Sequence, residues 1–185
     1  GVMGIADRIA AEKEIFRLGV GLDLEQKDNQ EANYKPTAMV DFQDTDRLPR
    51  QKIMDDISTF KIFNVGGAGT LEEAAISICS QKLHKNITTP IIFVDPVGLN
   101  NGENIWQKLE ELIKVLSTEQ KIPDETAKDG IANIELLKGY AKNFCHFVDS
   151  YDEAADIIEN FVDDPALYYK QVGIPEDKVK VSIEN

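Results

Sequence analysis

Along most of this chain, short runs of apolar residues alternate with segments in which apolar residues recur every three or four positions. Such runs predict strands, and apolar residues three or four positions apart predict the helices between them. The run at residues 90–95 is almost entirely apolar, as is typical of a strand that is covered on both faces. The alternation therefore predicts an α/β fold, with a Rossmann-like parallel sheet and helices on both faces.

The predicted elements are short strands and amphipathic helices. Strands are expected at residues 20–24, 39–42, 60–65, 90–95 and 144–148. Helices are expected at residues 2–18, 50–57, 70–83, 105–116, 131–141 and 151–161. Ser150 and Glu153 form a capping box that opens the last of these helices. Residues 1–162 are expected to form one domain, and residues 163–185 a loose C-terminal extension.

Several side chains are expected to pack inside this fold. The helix at 70–83 should present a tightly packed face made of Ala74, Ala75, Ile78 and Cys79. The helix at 50–57 should carry Ile53, Met54 and Ile57 inward. His146 lies in an apolar strand, which favours a hydrogen-bonded core residue over a ligand-binding one, and Trp106 is most simply a core residue.

Composition narrows the classes of protein that fit. The chain has 185 residues, 42% of them hydrophobic, which is enough for one domain with a core. The acidic residues are scattered along the chain, and the formal net charge of −13 disfavours binding to nucleic acid. Cys79 and Cys145 stand alone, so neither a disulfide framework nor a metal site is expected. With no apolar run long enough to cross a bilayer and no signal-peptide pattern, we expect a cytoplasmic protein without a membrane partner.

The segment Gly66-Gly67-Ala68-Gly69-Thr70 carries the strongest chemical signal, because it joins a predicted strand to a predicted helix. Glycines allow the backbone to come close to a ligand, and the free N–H groups at a helix start favour an anion such as phosphate. Thr70 is expected to cap the helix, and Glu73 follows one turn later. The alternative interpretations are a purely structural turn and an exposed helix carboxylate, which is how we interpret Glu72.

Together with Arg50-Gln51-Lys52-Ile53-Met54 upstream, this segment resembles the LONELY GUY family, whose members are often described as possible lysine decarboxylases. The family has Arg-Lys-x-x-Met on a helix, then a strand, then Pro-Gly-Gly-x-Gly-Thr-x-x-Glu. The residues of this chain at those positions are Arg50, Met54, Gly66, Gly67, Gly69, Thr70 and Glu73. Gly1-Val2-Met3-Gly4 is similar to the family's Gly-Leu-Met-Gly, so the resemblance covers most of residues 1–161.

The resemblance implies a phosphoribohydrolase that cleaves the N-glycosidic bond of a nucleoside 5′-monophosphate of the AMP or cytokinin type. Glu73 would stabilise the positive charge that develops on the ribose or position the water, and Arg50 would contact the substrate, with Arg47 as a rival. The phosphate would lie on Gly66, Gly67, Gly69 and Thr70, with Met54 as a further substrate contact or a packing residue. The resemblance also implies a homodimer, and we expect neither a metal nor an organic cofactor. A lysine decarboxylase would need a pyridoxal-phosphate lysine, which no local motif supports.

The chain departs from the family pattern at three places. Gln51 stands where the family has Lys, and Val65 stands where it has Pro. Gly1 begins within a family motif, so we expect the first two strands of the sheet to precede it in a longer chain. These departures favour an alternative, a non-catalytic nucleotide or molybdenum-cofactor carrier of the same fold. A third interpretation is an interaction protein that binds no nucleotide.

Overall fold

The chain divides into two compact units, Gly1–Ser58 and Thr59–Asn185. The computed structural model describes residues 2–22, 36–42, 47–83, 89–96, 104–134, 137 and 141–174. Both units contain parallel strands and helices, so the predicted α/β class is confirmed.

The described residues of the first unit form two helices and two strands. They are α1 Val2–Glu12, β1 Leu18–Leu22, β2 Ala38–Phe42 and α2 Arg47–Ile57. The two strands pair in parallel, with Leu18 opposite Ala38.

The first helix is shorter than the apolar spacing predicted. It ends at Glu12, and Glu14 adopts a left-handed backbone conformation with φ of 56°, which a helix cannot continue through. The prediction of a helix to residue 18 is therefore wrong beyond Glu12, and β1 begins at Leu18, two residues earlier than expected. Ile15 and Phe16 lie between the two elements and are exposed.

The second unit is built on a three-stranded parallel sheet. Its elements are β3 Lys61–Asn64, α3 Ala68–Leu83, β4 Ile91–Val94, α4 Trp106–Leu116, β5 Gln120–Pro123, β6 Ile131–Ile134, α5 Ala141–Phe144, β7 Cys145–Val148, α6 Tyr151–Asp163 and α7 Pro165–Gln171. Strand β4 lies between β3 and β7, and all three run in the same direction. Asn64 pairs with Val94, so the carboxyl ends of the strands are level.

Both faces of β4 are covered, as its apolar sequence predicted. Ile91 and Phe93 belong to a cluster that includes Phe63, and the ring of Phe93 packs against Trp106 at a centroid distance of 5.0 Å. Ile92 and Val94 pack in a second cluster with residues of α6. All four strand residues are fully buried, and burying each such side chain contributes about 1.5–3 kcal/mol.

Residues 120–134 form a hairpin where the sequence predicted a loop followed by a helix. Strands β5 and β6 are antiparallel, with Pro123 opposite Ile131. Asp124 begins the turn by accepting hydrogen bonds from the backbone and hydroxyl of Thr126, and Gly130 ends it with a positive φ of 71°. The predicted helix at 131–141 is therefore wrong at residues 131–134, because strand pairing satisfies their backbone groups instead.

The segment after residue 163 also differs from the expected loose extension. Asp164 caps α7 through the backbone N–H of Leu167, and Pro165 occupies the first turn. Tyr168 and Tyr169 are buried against Phe161. The segment thus contributes Tyr168, Tyr169 and Ile174 to the core of the second unit.

A histidine of β7 and a tyrosine of α7 form a pair. The Nε2 atom of the half-buried His146 lies 2.5 Å from the hydroxyl oxygen of the buried Tyr168, which confirms that His146 is hydrogen-bonded within the protein. Burial lowers the pKa of His146 to about 4 and raises the pKa of Tyr168 above its ordinary value. Both groups are therefore held in their neutral forms at neutral pH.

Among the helices of the described ranges, none combines the length and apolar character needed to cross a membrane.

Candidate functional site

The carboxyl edge of the three-stranded sheet collects polar residues from all three strands. Asn64 ends β3, Asp95 follows β4, and Asp149 follows β7. In open parallel sheets, ligands bind beyond this edge because the strand-to-helix loops and the helix N-termini meet there. The glycine segment lies at the same edge, directly after β3.

The glycine segment leads into the N-terminus of the 16-residue helix α3. The carbonyl oxygen of Gly67 accepts hydrogen bonds from the backbone N–H groups of Thr70 at 3.1 Å and Leu71 at 3.2 Å, so Gly67 is the cap position. The N–H groups of the first two helical residues, Ala68 and Gly69, have no partner inside the helix, and together with the positive end of the helix dipole they favour an anion. The prediction that Thr70 caps the helix is wrong, because α3 begins two residues earlier, at Ala68.

The three glycines of this segment have different surroundings. A Cβ atom added to Gly66 would overlap the hydroxyl of Thr70 and lie 2.9 Å from the Cβ atom of that residue. A Cβ atom added to Gly67 or Gly69 would meet nothing within 4 Å in the described structure. None of the three has a positive φ. Gly66 is therefore required by packing, whereas Gly67 and Gly69 leave open surface at the helix start.

Glu73 follows in the second turn of α3. Its side chain is half-buried, and the neighbouring Glu72 is exposed. The helix packs inward through Ala74 and Ile78, as predicted.

Three predicted packing positions are wrong. Ala75 and Cys79 on α3 are exposed, and the buried Ser77 takes the place that they were expected to fill. Ile57 at the end of α2 is also exposed, although Ile53 and Met54 are half-buried. In both helices the buried face is narrower than the spacing of apolar residues predicts.

Arg50 and Met54 lie together on α2, in the first unit. The Nη1 atom of the Arg50 guanidinium lies 3.3 Å from the Met54 sulfur, one turn away, so the two side chains are neighbours. Gln51 is only 4% exposed and donates from Nε2 to Asp55 at 3.4 Å. The position that departs from the family lysine therefore faces the interior of this unit. The side chain of Arg47, the rival for the substrate contact, lies outside the described part of the structure.

Of the predicted site residues, the structure thus gathers two groups. Arg50 and Met54 form one group in the first unit, and the glycine segment with Thr70 and Glu73 forms the other in the second unit. Within the ranges that the structure describes, no group of three or more histidine, cysteine, aspartate or glutamate side chains could hold a metal ion.

Three further polar contacts occur at the carboxyl edge that the sequence did not predict. Asp95 is buried and accepts a hydrogen bond from the backbone of Ile105 at 2.7 Å. Asn104 donates to Asp149 at 2.8 Å. The hydroxyl of Tyr151 donates to the Oδ1 atom of Asn64 at 2.6 Å. The position of the aspartates directly after apolar runs was a usable signal, but the last contact joins residues 87 positions apart and has no local signature.

Comparison with known proteins agrees with the motif. A family model described as possible lysine decarboxylase matches residues 3–137, which include α2, β3 and the whole of α3. No curated protein matches the chain. Since the match covers well over half of the 185 residues, the chain belongs to the possible lysine decarboxylase family, the family that includes the LONELY GUY proteins.

Proposed function

We propose that this protein hydrolyses the N-glycosidic bond of a nucleoside 5′-monophosphate of the AMP or cytokinin type, releasing free base and ribose 5-phosphate. The observation that carries the proposal is the glycine segment before α3. Two of its glycines leave open surface at the start of a long helix, where a phosphate group is favoured by backbone N–H groups. Family membership supports the same site.

The phosphate of the substrate binds at Gly66, Gly67, Gly69 and Thr70. Because Gly67 and Gly69 have no side chain, phosphate oxygens can approach the backbone nitrogens to hydrogen-bond distance. The dipole of α3 adds to this attraction, and its effect is largest within the first turn. The rest of the nucleotide then lies along the carboxyl edge of the sheet.

In the proposed reaction, water adds to the anomeric carbon and the bond to the base nitrogen breaks. The bonding electron pair leaves on the base, which takes up a proton. The transition state resembles an oxocarbenium ion, so a carboxylate near the ribose stabilises it. We assign this role to Glu73, which is half-buried one turn beyond the phosphate site.

Arg50 is the proposed cationic contact of the substrate. Its guanidinium keeps its charge at all relevant pH values and offers several donors in one plane, which suits contact with a phosphate or a base. Met54, whose sulfur the guanidinium contacts, is the proposed apolar neighbour of the base. The proposal includes a homodimer that acts in the cytoplasm, and no step of it uses a metal or an organic cofactor.

The experiment is to incubate the purified protein with AMP and with isopentenyl-AMP and to measure free base and ribose 5-phosphate. Substitution Glu73→Gln should lower kcat at least a hundredfold, because it removes the negative charge and keeps the shape of the side chain. Glu72→Gln is the matched control, since Glu72 is exposed on the same turn, and it should keep nearly full activity.

Two results would contradict the proposal. Equal activity of the wild type and Glu73→Gln would remove Glu73 from the reaction. Tight binding of AMP with no release of base would favour the alternative that the protein is a nucleotide carrier, and the same test with molybdenum cofactor would then define its ligand.

A further inference from the structure

We propose that Asn64 and Tyr151 form a second contact for the ligand of the glycine segment, and that they bind its sugar and base rather than its phosphate. This inference rests on the proposed function for the identity of the ligand. It starts from the hydrogen bond between the Tyr151 hydroxyl and the Asn64 amide oxygen, 2.6 Å long, at the carboxyl edge of the sheet.

The contact crosses the end of the central strand. Asn64 ends β3, Tyr151 begins the helix that follows β7, and β4 lies between those two strands. Adjacent strands are about 4.8 Å apart, so the pair spans a gap of roughly 10 Å. Tyr151 is 50% exposed as a residue, although its hydroxyl is hydrogen-bonded to Asn64. The hydrogen bond thereby holds the tip of an exposed aromatic residue at this edge.

The pair lies on the opposite side of the edge from α3. Side chains alternate along a strand, and Phe63 packs in the same cluster as Ala74 of α3. Asn64 therefore points to the other face, the one on which Val94 packs with α6. Gly66 is only two residues beyond Asn64, at most about 7 Å along the chain. A ligand with its phosphate at the start of α3 reaches Asn64 and Tyr151 when it extends across the edge.

The chemistry of the pair fits the sugar and base of a nucleotide. The Asn64 oxygen is occupied by Tyr151, and its side chain makes no other hydrogen bond within the described ranges. Its NH₂ group therefore offers two donors, which suit a ribose hydroxyl or a base nitrogen. The open ring of Tyr151 can pack against a sugar or a base, because aromatic rings stack favourably on bases. Inorganic phosphate carries neither the sugar nor the base that the pair is proposed to bind.

The test compares two probes, AMP and inorganic phosphate, by isothermal titration calorimetry. All proteins carry Glu73→Gln, so that AMP stays intact during the measurement. The variants are Asn64→Ala, which removes the amide donors, and Tyr151→Phe, which keeps the ring and breaks the hydrogen bond. The matched control is Asn133→Ala, which removes an exposed asparagine from β6.

For Asn64→Ala we expect the Kd for AMP to rise about tenfold, as for the loss of one or two hydrogen bonds, and the Kd for phosphate to change less than twofold. Tyr151→Phe should raise the Kd for AMP by a smaller factor, and Asn133→Ala should leave both values unchanged.

The inference is overturned if Asn64→Ala weakens the binding of AMP and of phosphate by the same factor, since the pair would then only support the loop that holds the phosphate. It is also overturned if Asn64→Ala leaves AMP binding unchanged or if the parent protein does not bind AMP. Binding that depends on the pair, without release of base by the wild type, would reject the proposed hydrolysis and leave the inference standing. If the wild type releases base and Asn64→Ala releases it equally fast at low AMP concentration, the proposed hydrolysis stands and the inference about Asn64 and Tyr151 is rejected.

Discussion

Replacement of Gly69 by alanine should make the protein more stable and make it bind its ligand less well. Gly69 lies in the first turn of α3, its φ is not positive, and an added Cβ atom meets nothing within 4 Å in the described structure. Alanine at a helical position stabilises a protein by about 0.5–1 kcal/mol relative to glycine, because the unfolded chain loses freedom. The fold therefore has no requirement for glycine here, and we attribute its presence to the ligand.

The same methyl group should interfere with a phosphate at the start of α3. It would occupy the open surface beside the backbone N–H groups, so we expect at least tenfold weaker binding of AMP, a loss of about 1.4 kcal/mol or more. Stability is measured by urea unfolding followed by circular dichroism and extrapolated to zero denaturant. Binding is measured by calorimetry in the Glu73→Gln background.

Gly66→Ala is the matched control, with the opposite expectation for stability. Its methyl group would lie 2.9 Å from the Cβ atom of Thr70, closer than two carbon atoms normally approach. Overpacking of this kind costs about 1–3 kcal/mol, so this variant should be less stable than the wild type. The reasoning is refuted if Gly69→Ala binds AMP as tightly as the parent, or if it loses stability as Gly66→Ala does.

Two further predictions concern the stability of the second unit. His146 has a pKa of about 4 in the folded protein and about 6.5 when unfolded, so protonation favours the unfolded chain as the pH falls. The contribution of His146 to the unfolding free energy should be constant above about pH 6.5. It should fall by up to about 3 kcal/mol between pH 6.5 and 4. His146→Gln should reduce that pH dependence in urea unfolding, and an unchanged slope would contradict the assignment. Ser150→Ala should lower the unfolding free energy by about 1 kcal/mol, because the Ser150 hydroxyl accepts the Glu153 N–H at 3.2 Å; a loss below about 0.2 kcal/mol would reject the cap.

The sheet of the second unit could be predicted because its sequence allows few alternatives. Strand β4 is apolar throughout, which only a strand covered on both faces accommodates, and its four residues are fully buried. The cap of α6 was equally readable, because Ser150 and Glu153 have the spacing of a capping box.

The elements that were missed depend on pairing or packing with distant residues. Strand β6 has an apolar residue at each end and becomes a strand only by pairing with β5. Helix α7 did carry a local signal, since Asp164 precedes Pro165 as a cap precedes a helix start, but its burial depends on Phe161. Ile15 looked helical by spacing, yet the left-handed backbone at Glu14 ends the helix before it.

The candidate site also has features that the sequence predicts and features that depend on contacts in the folded structure. The glycine segment and Glu73 could be identified because a strand, three glycines and a helix follow one another along the chain. The different roles of Gly66 and Gly69 were not predictable, because they depend on where the Thr70 side chain lies. The contact between Asn64 and Tyr151 arises from the strand order, which brings together residues that are remote in sequence.

The most direct test of the central claim is a crystal structure of the Glu73→Gln variant with AMP. The account predicts that the phosphate oxygens lie about 3 Å from backbone nitrogens in the first turn of α3, beside Gly67 and Gly69. It also predicts that the glycosidic bond lies near the side chain of residue 73. AMP bound with its phosphate away from this helix start, or no AMP at a saturating concentration, would contradict the account.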